Sequence, residues 1–214
     1  MPYDEAWRLQ LELVEARADG KISDTILFVE HPAVLTFGKK SPGIREQEAL
    51  FPPEIGSVPV RLVERGGEAT FHGPGQIVAY PILRLNSKFG PKSLLRALEN
   101  ALIATLHDFG VASYWIEGKT GVWLKDRLER ERKIASLGVA VRRGVSYHGL
   151  ALNVNTELEN FRLISPCGFA PEVMTNLAEC LDRPMDMAQV REALKKQLAP
   201  LYRQLELPEE ILTP

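Results

Sequence analysis

The sequence predicts an α+β domain built on a mixed or antiparallel sheet with helices beside it. Three observations carry that prediction. Short apolar runs of strand length crowd the middle of the chain, and helical patterns flank them. Neither a shift of composition nor an internal repeat divides residues 1–214, so they read as a single domain.

The elements follow in order. Tyr3, Trp7, Leu11 and Val14 recur at spacings of three and four, one face of a helix that Gly20 ends. Thr25 to Val29 and Ala33 to Phe37 read as strands, with His31-Pro32 between them. Residues 38–57, rich in Gly, Pro and charge, read as a loop. Val58, Val60 and Leu62 alternate with Pro59 and Arg61 as a half-exposed strand. It leads into Arg65-Gly66-Gly67-Glu68-Ala69-Thr70-Phe71-His72-Gly73-Pro74-Gly75-Gln76. Four glycines here predict neither a regular helix nor a plain strand, but a polar loop held by the strand Ile77-Val78-Ala79-Tyr80.

A helix over 92–109 sets Leu95, Leu98, Leu102, Leu106 and Phe109 on one face and ends at Gly110. Short strands follow near 112–116 and 121–124. The charged block Lys125 to Arg132 reads as a solvated excursion. Ile134 to Val141 and Tyr147 to Val154 form a hairpin about 142–146. A helix opening at Pro171 and another over 187–205, with Pro200 inside, complete the chain.

Composition narrows the function. Lys and Arg number 26 against 28 Asp and Glu, a net charge of -2 that lacks the basic excess of nucleic-acid binders. A chain of 214 residues buries a core without disulfides or metals. No run reaches the length of a membrane span, no apolar signal segment opens the sequence, and two cysteines suit a reducing cytoplasm. A cytoplasmic protein is expected. His31, His72, His107 and His148 have no paired metal spacing, and neither a phosphate loop nor a dinucleotide fingerprint is present. No metal or cofactor is expected.

Two residues stand where chemistry is feasible. Cys167, between Pro166 and Gly168 and just before the helix expected at Pro171, is either a thiolate nucleophile activated by that helix terminus or a packed cysteine. Cys180 shares a helical face with Val173, Leu177 and Leu181 and reads as core. Lys133 is the last charge before an apolar strand; it is either one more solvated cation or one drawn inward to stabilise a thiolate and exchange protons. Gly149 and Ala151, two apart on one strand face, leave a groove for an acyl chain or for a close neighbour.

Taken together, the blocks resemble a known family. Residues 65–76 are similar to the signature of the lipoyl(octanoyl) transferases, and Lys-Ile-Ala-Ser-Leu-Gly at 133–138, Tyr-His-Gly-Leu-Ala-Leu-Asn-Val at 147–154 and Ile-Ser-Pro-Cys-Gly at 164–168 resemble its other blocks in the family's order. Glu68-Ala69 is the variable part of the first block. The resemblance implies the fold of the biotin and lipoate-protein ligase catalytic domain. It also implies transfer of an octanoyl group from octanoyl-acyl carrier protein to a lysine of lipoyl domains, those of 2-oxoacid dehydrogenase E2 subunits and of the glycine cleavage H protein. Cys167 would be the acyl-thioester nucleophile and Lys133 its partner. Arg65, Gly66, Gly67, Glu68, Ala69, Thr70, Phe71, His72, Ser136, Leu137, Gly138, Gly149, Leu150 and Ala151 would line the acyl pocket. Two rivals remain: an ATP-dependent lipoate or biotin ligase on the same fold, and a non-catalytic module that docks acyl carriers.

Overall fold

The computed structural model describes residues 1–41 and 51–205 of the chain. Its larger sheet has six strands in the order β1 (Thr25–Val29), β6 (Gln76–Ile82), β10 (Val145–Asn153), β9 (Glu131–Arg142), β8 (Lys119–Lys125) and β7 (Tyr114–Ile116), every neighbour antiparallel. The smaller sheet orders β3 (Glu54–Ile55), β4 (Val58–Leu62), β2 (Val34–Phe37) and β5 (Ala69–His72), with β2 and β4 parallel. The α+β class expected from the sequence is the class observed.

Helices cover the large sheet on both faces. Leu94, Leu98, Leu102 and Leu106 of α2 (Pro91–Asp108) and Val190, Leu194 and Leu198 of α4 (Met187–Leu205) form one core with Val122, Ile134, Leu150 and Leu152 of the sheet. On the other face, α1 (Tyr3–Ala18) sets Ala6 against Val78, Tyr80 and Ala151, and Val14 against Ile82, Val145 and Tyr147. β6 and β10 are therefore buried along their whole length, which is why their apolar residues run on instead of alternating. Among the described residues no helix is long and apolar enough to cross a membrane.

Several expectations are corrected. The inner face of α1 carries Tyr3, Ala6, Gln10 and Val14; Trp7 and Leu11 lie at its margin. Gln10 takes an inner place because its Oε1 accepts the His148 N–H at 2.8 Å. The glycine-rich stretch contains β5, whose hydrogen bonds come from β2, more than thirty residues away. The expected loop at 38–57 includes β3, while positions 42–50 lie outside the described residues. The charged block is the exposed turn that was expected, at 126–130, with only Lys125, Glu131 and Arg132 in the flanking strands; Asp126 organises that turn by accepting from Leu128 N, Arg130 N and Arg130 Nε.

The helix expected at Pro171 is absent. Pro171–Val173 makes one 3-10 turn, after which the chain is captured by the sheet. Met174 bridges Lys133 in parallel and the Thr175 N–H donates to the Lys133 carbonyl at 3.0 Å, beyond the end of β10. Only at Leu177 does α3 (Leu177–Leu181) begin, capped by Asn176, whose side chain accepts from Glu179 N. Cys180 sits on α3, half-buried against the main core.

Candidate active site

Lys133 lies on β9 opposite Trp123 of β8. Its side chain is drawn fully inward, only 1% exposed, so the solvated alternative fails. Gly121 makes room for it: a Cβ there would fall 2.5 Å from Lys133 Cε. The ammonium stands 5.5 Å from the Trp123 ring and 5.7 Å from that of Phe169, within the range of cation–π attraction.

Cys167 belongs to a 3-10 turn, Pro166–Gly168. Its neighbours locate it. Gly168, at φ +77°, is backed by the Glu68 carboxylate, which would lie 3.1 Å from a Cβ at that position. Phe169 sits edge-on to Trp123, with centroids 5.1 Å apart. The turn is thus held between the loop before β5 and the walls of the Lys133 site. Because α3 starts ten residues later, no α-helix N-terminus stands at Cys167, contrary to the expectation from Pro171; the Lys133 ammonium lies beside Phe169, the next residue but one.

Further along β9 a narrow pocket opens. Of the expected residues it is lined by Arg65, Thr70, His72, Ser136, Leu137, Gly138, Gly149, Leu150 and Ala151. Gly66, Gly67, Glu68, Ala69 and Phe71 are not part of its lining. They serve the chain itself. Phe71 packs on Phe161 in the core of the small sheet, Gly67 takes φ +87°, and the Gly66 carbonyl occupies the place a Cβ on Gly138 would need. Gly149 likewise abuts Ala79 O and Pro81 Cδ, so the close-neighbour reading holds for it as well. The cavity volume is about 20 Å³.

Four lining residues were not expected: Tyr3, Val78, Tyr80 and His148. Tyr3, Tyr80 and His148 join His31 and His72 in a buried aromatic cluster in which Tyr3 stacks on His72 with centroids 6.0 Å apart and His31 Nε2 meets Tyr80 Oη at 2.8 Å. His148 falls inside a block singled out by sequence, but its inward aim follows from φ +54°, which no motif displays. Burial pushes the His72 imidazole down to about 3 and that of His31 to about 4, so both are neutral at pH 7. Burial lowers His148 too, opposed by the Glu64 carboxylate 3.5 Å away. Arg65 is fixed by two hydrogen bonds from Nη2, to Thr36 O at 2.7 Å and Thr36 Oγ1 at 2.9 Å.

A six-stranded sheet with helices on both faces, a buried lysine beside a cysteine-bearing turn and a pocket further down the same strand define a class by their fold: the α+β catalytic domains of the lipoate-protein ligases. Lipoate-protein ligase A bound with ATP shares the fold, with a TM-score of 0.65 at 16% identity over 96% of this chain and 85% of that one. So does a putative lipoate protein ligase from Thermoplasma acidophilum with bound lipoic acid, at 0.63 and 14% over 96% and 84%. The chain belongs to the lipoyl protein ligase A/B catalytic domain family, whose model matches residues 2–199. A relative from Thermobifida fusca named octanoyltransferase is 40% identical over 202 residues, 93% of this chain and 84% of the relative. Another of that name, from Bacteroides fragilis, is 41% identical over 206 residues, 92% of each chain.

Proposed function

We propose that the chain moves an octanoyl group by covalent catalysis at Cys167. It is an acyltransferase, an octanoyltransferase of lipoate biosynthesis, as relatives of about 40% identity support. The observation that carries the mechanism is the burial of Lys133 beside the turn that holds Cys167. A buried ammonium favours a neighbouring thiolate, the reactive form of cysteine.

In the first half-reaction the Cys167 thiolate attacks the donor thioester carbonyl. A new C–S bond forms as the donor's C–S bond breaks, and the departing sulfur takes a proton from Lys133. In the second half, the neutral amine of an acceptor lysine attacks the acyl-enzyme. A C–N bond forms, the C–S bond to Cys167 breaks, and the proton shed by the amine returns to Lys133. Exchange of one thioester for another is nearly balanced, so the reaction needs no ATP. The donor is octanoyl-acyl carrier protein; the acceptors are lipoyl domains of 2-oxoacid dehydrogenase E2 subunits and of the glycine cleavage H protein.

Distance supports the path. Ser136 to Gly138 lie three to five residues beyond Lys133, ~10–17 Å along a strand. With C–C bonds of about 1.5 Å, an extended eight-carbon chain reaches ~9 Å. An acyl group that starts near Lys133 therefore extends toward Ser136, at the near edge of the pocket, and stops short of Gly138. A cavity of about 20 Å³ holds little more than a water, so lining side chains swing aside as the chain enters.

The test is direct. Incubated with octanoyl-acyl carrier protein, the enzyme is expected to gain one hydroxylamine-labile octanoyl group, and Cys167→Ser to gain none. No adduct on the native enzyme, or an adduct that survives in the serine variant, overturns the assignment. Transfer from free octanoate only in the presence of ATP would return the chain to the ligase reading.

A further inference from the structure

A chain of buried polar groups connects the pocket to the lysine. His72 Nδ1 meets Gln76 Oε1 at 2.8 Å. Gln76 Nε2 donates to Phe71 O at 3.1 Å and to Asn153 Oδ1 at 2.9 Å. Asn153 Nδ2 donates to Thr175 O at 3.0 Å, and Thr175 N donates to Lys133 O at 3.0 Å. All five side chains are buried, Gln76, Asn153 and Lys133 to 99%.

Such a chain is costly unless every member is satisfied, and here each link uses the donor or acceptor its chemistry offers. Asn153 ends β10 and has no apolar role, although Leu152 and Val154 on either side are core. What it joins is informative: β5 and β6, which wall the pocket, and residues 174–175, which pair with Lys133 and continue back to the Cys167 turn.

We propose that Asn153 is a positioning residue of the acyl transfer. Through its amide it fixes the 174–175 segment, and with it Lys133, in register with the pocket wall that receives the acyl chain. This rests on the reading of Cys167 and Lys133 given above. Asn153→Asp tests it, because a carboxylate still accepts from Gln76 Nε2 but has no proton for Thr175 O. Protonation of that carboxyl restores the donor.

The experiment is a double-mutant cycle on single-turnover formation of the octanoyl-enzyme, with octanoyl-acyl carrier protein as donor and folding checked by urea denaturation. Asn153→Asp is expected to slow acylation about tenfold to a hundredfold at pH 8, a cost typical of small misplacements. The KM for the donor should change less than about twofold, and the deficit should narrow as pH falls. In a Lys133→Ala background the same substitution should cost nothing further, since its effect runs through the lysine.

If Lys133→Ala slows acylation and Asn153→Asp adds its full effect on top, the positioning role is overturned while the lysine assignment stands. If Lys133→Ala leaves the rate unchanged, the underlying reading fails and the proposal with it. Should the aspartate unfold the chain, Asn153→Ser, which loses the amide donor without introducing a charge, is read in the same cycle.

Discussion

The pocket wall and the segment that carries Cys167 are built in opposite ways. The wall is made of β5, β6 and β10, strands buried on both faces whose polar groups mostly bond to one another. Residues 165–176 contain two 3-10 turns and no α-helix; they are joined to the rest by contacts such as Gly168 on Glu68, Phe169 on Trp123, Arg132 Nη2 on Met174 O, and Thr175 on Lys133 and Asn153, with Met174 buried in the core of the small sheet. One region is continuous strand, the other irregular backbone pinned at particular residues. The difference suits the division of labour. Under the proposed mechanism the wall's backbone would hold the acyl chain, while the segment that carries Cys167 would meet donor and acceptor in turn.

That contrast can be broken at either end. The largest effect is expected at the shared anchor: Lys133→Ala should lower single-turnover acylation per folded enzyme by ~10²–10⁴-fold, the usual worth of a proton-transfer group. A fall of less than about twofold would make the lysine a packing residue. Next come two phenylalanines. Phe71, buried against Phe161 with centroids 5.5 Å apart, belongs to the wall, and Phe71→Ala should cost 3–5 kcal/mol of stability in urea, within about that range for large core truncations. Phe169→Ala should cost only about 1 kcal/mol while slowing acylation, because its ring edges Trp123 and frames Lys133. Reversal of the two would show that the cysteine segment, and not the wall, carries the stability.

A further effect concerns acid. His72 is pushed down to about 3 and His31 to about 4 in the folded protein, below the ordinary value of 6.5. The unfolded chain therefore binds more protons below pH 6.5, and stability present above it is lost as pH falls. Unfolding free energy should drop by about 1 kcal/mol per pH unit for each histidine between pH 6 and 5, followed by urea midpoints. A flat profile over that interval would mean that the wall opens enough to hydrate its imidazoles.

The sequence made most elements legible because hydrophobic period is local. Leu98, Leu102 and Leu106 repeat as a helix must, although the buried face begins at Leu94 where Leu95 was expected and α2 ends before Phe109, and the hairpin about 142–146 lies where the apolar runs break. What failed was decided at a distance. Nothing near Gln10 reveals that its partner is 138 residues away, and nothing near Pro171 reveals that Lys133 captures the next residues but one. The site divided the same way. The order of the blocks singled out Lys133 and Cys167, whose turn the structure brings beside the buried lysine, and nine of the residues taken from the blocks line the pocket. Tyr3 was hidden, since it reaches the pocket from the far end of the chain, as was the use of Gly66 and Gly138 for backbone contact with each other.

The Gln76 amide has one further consequence. Because its nitrogen is committed to Phe71 O and Asn153 Oδ1, its oxygen must accept, so the neutral His72 carries its hydrogen on Nδ1 and a lone pair on Nε2. The Thr36 hydroxyl faces that lone pair at 3.5 Å, and its own oxygen already receives Arg65 Nε and Nη2. Its hydrogen is thereby turned toward the imidazole. The hydrogens of this wall form a one-way file in which a second proton on His72 would meet a donor head-on, so the ring is held in a single tautomer that nitrogen NMR of Nε2 would read as the unprotonated, pyridine-like signal.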